Sequence, residues 1–130
     1  SKLEIYEQWP LYQDASWDDR WAQTETPMLM LQGELDPVTP HALAQGVTEH
    51  FDGAHQHWVS FEHSAHSTSF DTPVVSDDSE EPCGFQLVLG FMADPTAALD
   101  RACVERTLPL SFDPGQAYAE HYFGTEGLWD

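Results

Sequence analysis

A short apolar run between a proline and a glycine is the feature that most limits how this chain can fold. Residues 28–32 read Met-Leu-Met-Leu-Gln between Pro27 and Gly33, without alternation of apolar and polar side chains. Such a run is typical of a strand in a parallel sheet that is covered on both faces. Parallel strands are joined by a crossover, so a connecting segment and a second strand must follow.

The next thirty residues supply that crossover and that strand. The apolar residues Leu43, Val47 and Phe51 recur at a four-residue interval. This spacing predicts a helix from about residue 40 to residue 50. Thr39 is its expected cap, and Pro40 suits its first turn. Residues 57–61, His-Trp-Val-Ser-Phe, then form a second strand. The order strand, helix, strand predicts an α/β fold with a parallel βαβ unit and a right-handed crossover.

The remaining chain is expected to add helices to this unit. Residues 83–92 place apolar side chains on one helical face, and residues 97–104 predict a second, shorter helix that carries Cys103. We divide the chain into an aromatic-rich leading segment, residues 1–26, and an α/β domain, residues 27–130. Within the leading segment, Trp17 and Trp21 lie one helical turn apart, which predicts a short helix.

Charge and hydropathy exclude two kinds of partner. Four basic residues stand against 23 acidic ones, for a formal net charge of -19. This charge repels phosphate backbones and anionic lipid surfaces, so we expect no nucleic-acid partner. The longest apolar runs fall well short of the ~20 residues that a membrane-spanning helix needs, so we expect no membrane partner.

Two candidate catalytic residues follow the two predicted strands. Asp36 comes after the first strand, and His66, thirty residues later, comes after the second. Because the carboxyl ends of parallel strands meet at one edge of a sheet, we expect the two side chains to lie together. In a serine-hydrolase triad, a carboxylate orients the histidine that accepts the proton of the nucleophile. The chain therefore carries the candidate acid and the candidate base.

The nucleophile of such a triad has no candidate in this sequence. No Gly-x-Ser-x-Gly motif occurs in the 130 residues. In α/β-hydrolases the serine precedes the aspartate, which precedes the histidine. The order Asp36 before His66 therefore predicts a serine upstream of Ser1 and identifies the chain as the C-terminal part of a larger hydrolase.

The histidines also permit a metal-binding interpretation. Five of them fall within seventeen residues: His50, His55, His57, His63 and His66. Pairs such as His55 with His57 would point to one face of a strand and offer imidazoles to zinc, copper or nickel. The alternative function is thus a non-enzymatic acidic domain that binds a metal or a protein through its histidines.

The two cysteines leave two states open. Cys83 and Cys103 lie twenty residues apart and lack the Cys-x-x-Cys spacing of zinc and redox sites. They form a disulfide, or they are two buried thiols that pack as small apolar side chains. Their spacing alone does not decide between these states.

Together these motifs resemble a known family. Gly-Glu-Leu-Asp-Pro-Val-Thr-Pro at residues 33–40, His66 after the next strand, and two cysteines around Phe-Met-Ala-Asp-Pro at residues 91–95 look like the C-terminal part of the TAP-like α/β-hydrolases. These are the secreted tripeptidyl aminopeptidase group, related to proline iminopeptidases. The resemblance implies that Asp36 is the triad acid, His66 the general base, and Cys83 with Cys103 a disulfide. Family members often have glycine immediately before the histidine, where this chain has Ala65.

The resemblance also implies a function, a location and partners. We expect a segment of an exported serine hydrolase, secreted or periplasmic, that releases residues from peptide N-termini without a cofactor. Its expected partners are the N-terminal half of the hydrolase and a peptide substrate. Alone, the chain is expected to be inactive, and an unpaired sheet edge would allow it to form a homo-oligomer.

Overall fold

The computed structural model describes residues 8, 9, 16, 20–76, 79–109 and 115–127. The secondary structure begins with strand β1, Met28–Gly33, and helix α1, His41–Ala44, which continues as a 3₁₀ helix, Gln45–Glu49. Strand β2, Gln56–Phe61, and helix α2, Cys83–Ala93, come next. A 3₁₀ turn, Val104–Arg106, and helix α3, Gln116–Phe123, complete the described elements.

The two strands form a parallel pair, as their sequences predict. Their register runs from Met28 opposite Gln56 to Gly33 opposite Phe61, so both strands end together. The small parallel sheet with its helices confirms the α/β class. The crossover is helical over most of the predicted range, although only its first turn is α-helical. Leu43 was expected on the buried face of that helix, but it is 77% exposed.

The core lies between β2, α2 and the segment around Cys103. Its buried apolar side chains are those of Val59, Phe61, Val74 and Leu87 together with both cysteines. Leu29 and Leu31 of β1 pack against this cluster but remain partly exposed. The prediction that β1 is covered on both faces is therefore wrong for the described residues, because only Gln32 and Gly33 at its carboxyl end are buried.

The cysteines settle the choice that their spacing left open. Cys83, the first residue of α2, is bonded to Cys103, with a Cα–Cα distance of 5.4 Å.

The predicted helix over residues 97–104 is wrong, since the only helical residues there belong to the 3₁₀ turn Val104–Arg106. Asp94 and Asp100 each accept a backbone N–H two residues ahead, from Thr96 and Ala102. Such local bonds compete with helix formation.

The leading segment is described only in part. The helix expected to carry Trp17 and Trp21 lies for the most part outside the described residues, Trp17 included. Trp21 itself is not helical and stacks on the imidazole of His50, with ring centroids 4.1 Å apart.

In the described part of the chain, no helix combines the length and the apolar character needed to cross a membrane.

Candidate active site

The loops that follow β1 and β2 are joined by backbone hydrogen bonds. Glu34 N donates to Phe61 O over 2.9 Å, and Leu35 N donates to Ser64 O over 3.1 Å. The first bond follows the register of the strands, and the second joins the two loops beyond the ends of the strands. The two loops therefore leave the sheet side by side, and their separation is set by main-chain contacts.

Gly33 allows this close approach. A Cβ atom at position 33 would lie far inside van der Waals contact with the carbonyl oxygens of Ser64 and Ala65. Both obstructing atoms belong to the backbone of the loop that carries His66, so no side-chain rotation would relieve the overlap. Glycine is needed here for space, and its role at this site is not apparent from the sequence alone.

Gly33→Ala is expected to destabilise the chain by about 2 kcal/mol, since an added methyl group must push a backbone segment out of place. Urea unfolding measures this change. Gly90→Ala in α2 is the matched control, because a Cβ atom there meets nothing within 4 Å. That change should raise stability by about 0.5–1 kcal/mol through its helix propensity. Equal effects of the two substitutions would refute the steric role of Gly33.

The structure brings the two sequence-predicted site residues together. Asp36 Oδ2 lies 2.9 Å from His66 Nδ1. The side chain of Asp36 is 4% exposed and that of His66 is 56% exposed. A buried carboxylate thus holds an exposed imidazole by one ring nitrogen. Among the described residues, none forms a hydrogen bond with the other ring nitrogen, Nε2.

The Asp36 carboxylate is saturated with hydrogen-bond donors. Oδ1 accepts the backbone N–H groups of Val38 and Thr39 at 2.8 and 3.0 Å. Oδ2 accepts the Thr39 hydroxyl at 2.6 Å in addition to His66. Burial would raise the pKa of Asp36, but the hydrogen bonds from Thr39, His66 and Val38 outweigh it and hold that pKa well below 3.8. The carboxylate is therefore charged, and His66 Nδ1 must be the donor of the shared proton.

Thr39 and Gln32 hold the Asp36 loop, a role that the sequence did not predict for either residue. Thr39 was predicted to cap α1, but Pro40 is at the cap and the Thr39 hydroxyl serves Asp36 instead. The buried Gln32 side chain donates to the carbonyls of Gly33 and Thr39 at 2.8 and 3.0 Å. These two bonds link the end of β1 to the end of the Asp36 loop. The one sequence signal for this role of Gln32 is its position as a polar residue in an apolar strand.

Asp71 holds the other loop. Its Oδ2 accepts the N–H of Ala65, next to His66, over 3.2 Å. Its own N–H bonds to Ser67 O over 2.9 Å, which closes the loop into a turn. Asp71 therefore fixes Ala65, the residue before His66. In the sequence, Asp71 lies in a stretch without a recognisable motif.

The start of α2 supports this second loop. Thr72 is 1% exposed, and its hydroxyl donates to Thr68 O and accepts from Gly84 N at 3.0 and 2.8 Å. Its carbonyl accepts from Cys83 N over 2.9 Å. The disulfide-bonded end of α2 is thus linked through Thr72 to the segment that follows His66.

The histidine cluster does not assemble into a metal centre in this structure. His50 stacks on Trp21, and His57 meets the ring of Phe91 edge-on with centroids 6.4 Å apart. The Nε2 atom of His57 is buried without a hydrogen-bond partner among the described residues. Across those same residues, no three histidine, cysteine or acidic side chains converge as ligands. The geometry therefore favours the acid–base pair.

A comparison with known protein families finds a match over most of the chain. The family model described as TAP-like protein matches residues 4–103, a range that includes Asp36, His66 and both cysteines. No curated protein and no solved structure shows a significant match to the sequence. The match covers more than half of the chain, and it begins within the leading segment.

Proposed function

Because this chain belongs to the TAP-like family of α/β-hydrolases, we propose that it supplies the triad acid and the general base of a serine hydrolase. The observation that carries the proposal is the 2.9 Å hydrogen bond between buried Asp36 and exposed His66. A charged, buried carboxylate paired with an accessible imidazole is the arrangement that activates a serine hydroxyl.

The roles of the two residues follow from their atoms. Nε2 of His66 accepts the proton of the serine hydroxyl as its oxygen attacks the substrate carbonyl, and later returns it to the leaving group. Asp36 accepts the Nδ1–H throughout, which keeps Nε2 unprotonated before attack. The carboxylate also stabilises the imidazolium cation that forms during the reaction.

The nucleophile is proposed to come from an N-terminal part of the same hydrolase. No Gly-x-Ser-x-Gly motif is present in these 130 residues. Large apolar side chains stand exposed next to the site in the described structure: Leu35 at 52%, Val38 at 67% and Phe70 at 70%. Apolar surface beside an incomplete site is what a covering segment would bury.

The substrate and the location are part of the same proposal. Resemblance to the tripeptidyl aminopeptidase group favours peptides, with residues released from their N-termini. The Cys83–Cys103 disulfide fits an oxidising compartment outside the cytoplasm. We therefore propose an exported peptidase, as part of which this chain carries the proton-transfer machinery.

The isolated chain is expected to show no turnover of aminoacyl anilides or esters, because none of its serines stands in a Gly-x-Ser-x-Gly motif. Mixing it with a TAP-like N-terminal segment that contains the Gly-x-Ser-x-Gly motif should restore hydrolysis. Release of the chromophore measures both results. A peptide anilide with a blocked N-terminus distinguishes an aminopeptidase from an endopeptidase.

A serine-directed phosphonate is the control for this reconstitution. It should label the N-terminal segment and abolish the restored activity, while the 130-residue chain stays unlabelled. Robust turnover by the chain alone, blocked by the phosphonate, would show that it carries its own nucleophile and would overturn the proposed division of the triad.

A further inference from the structure

Thr39 contacts the same carboxylate oxygen as His66. Its Oγ1 donates to Asp36 Oδ2 over 2.6 Å, and His66 Nδ1 donates to that oxygen over 2.9 Å. The two backbone donors, Val38 N and Thr39 N, both act on Oδ1. Among the described residues, the Thr39 hydroxyl is therefore the one group besides His66 that acts on Oδ2.

Donors on Oδ1 alone leave the carboxylate incompletely fixed. The last torsion of an aspartate side chain has a broad energy profile, so the group can tilt about an anchored oxygen. Each carboxylate oxygen offers about two lone-pair directions. A hydroxyl in one direction of Oδ2 removes the tilt and leaves the other direction for His66.

The position of the hydroxyl follows from the loop that carries it. Gln32 donates to the carbonyl of Thr39 over 3.0 Å and to that of Gly33 over 2.8 Å. These contacts hold the backbone of residue 39 whatever its side chain is. Removal of the hydroxyl would therefore affect the carboxylate while the main chain of the loop keeps its support.

We propose that Thr39 is a positioning residue, whose hydroxyl fixes Asp36 Oδ2 in the orientation that holds His66 as its Nδ1–H tautomer. This inference rests on the proposed function, since it concerns the same acid–base pair. In that tautomer Nε2 is bare and able to accept a proton. Without the hydroxyl, the imidazole populates its Nε2–H tautomer as well, which cannot act as a base toward serine.

Nuclear magnetic resonance of the full 130-residue chain tests the proposal without any activity. The ¹⁵N shifts of the His66 ring report its tautomer, and the ¹³C shift of the Asp36 carboxyl reports its titration. The Nδ1–H tautomer should dominate in the wild type. In Thr39→Val it should give way to a mixture, and the pKa of Asp36 should rise toward 3.8 because the carboxylate loses a donor.

Two variants serve as controls for this measurement. Thr39→Ser keeps a hydroxyl and should restore both the tautomer and the titration of the wild type. Val38→Ala should change neither, because Val38 contributes only its backbone N–H and its side chain is 67% exposed. Thr39→Ala repeats the test with a smaller side chain if the amide spectrum of Thr39→Val shows a disturbed fold.

An undiminished Nδ1–H tautomer in Thr39→Val and Thr39→Ala would overturn the inference. A raised pKa of Asp36 with an unchanged tautomer would also overturn it, since the hydroxyl would then stabilise charge without positioning the ring. Neither result bears on the reconstitution with an N-terminal segment. Failure of that reconstitution would in turn leave the tautomer measurement valid, so the two proposals can fail separately.

Discussion

Asp36→Asn is expected to lower the kcat of the reconstituted hydrolase by about 10⁴-fold, the loss known for the same change in serine proteases. The carboxylate accepts four hydrogen bonds, two at each oxygen. An asparagine offers an acceptor at one of these positions and an NH₂ donor at the other. With the amide oxygen held by the backbone N–H groups, the NH₂ faces His66 and forces the Nε2–H tautomer, which cannot accept the serine proton.

Steady-state hydrolysis by the reconstituted enzyme checks this expectation. KM should change little, because the Asp36 side chain is 4% exposed and would not reach a substrate. Glu34→Gln is the matched control, since Glu34 is an acid of the same loop whose carboxylate accepts the Ser60 hydroxyl and does not contact His66. Activity of Asp36→Asn within tenfold of the wild type would remove Asp36 from the triad.

Loss of the Cys83–Cys103 disulfide is expected to cost about 3 kcal/mol of unfolding free energy for a loop of this size. The bond spans 20 residues, and both cysteines lie in the apolar core beside Phe61 and Leu87. Domains of this kind are stable by only about 5–15 kcal/mol in total, so the loss is a large fraction. Urea unfolding with and without a reductant measures it.

The double variant Cys83→Ala/Cys103→Ala is the control for the reductant. Its unfolding midpoint should lie near that of the reduced wild type and should not respond to reductant. Hydrogen exchange should also quicken in the segment around Thr72, which is bonded to the first turn of α2. An oxidised and a reduced chain with the same midpoint would contradict the stabilising role of the bond.

Local patterns were sufficient to predict the framework of the site. The apolar run before Gly33 and the strand that ends at Phe61 each specify their own conformation, and parallel pairing then places Asp36 and His66 at one edge. The disulfide was predicted through resemblance rather than through spacing. Both strands and the pairing of the cysteines agree with the structure.

The remaining features depend on individual polar and backbone contacts, which the spacing of apolar residues does not encode. Thr39 before a proline has the signature of a helix cap, whose hydroxyl accepts a backbone N–H, but here that hydroxyl donates to the Asp36 carboxylate. The need for Gly33 arises from the Ala65 carbonyl, more than thirty residues away. Residues 97–104 carry apolar side chains at helical spacing, but Asp94 and Asp100 bind nearby N–H groups instead.

The backbone bonds that join the two loops beyond the strands have a consequence for how such a site passes between proteins. Because Glu34 and Leu35 bond directly to Phe61 and Ser64, and Asp71 holds the backbone before His66, residues 28–71 carry the acid, the base and the bonds that hold their loops. A gene segment of that length would move both groups at once, already in register. Recombination could then give the same acid–base pair a different nucleophile and a different substrate pocket without rebuilding it.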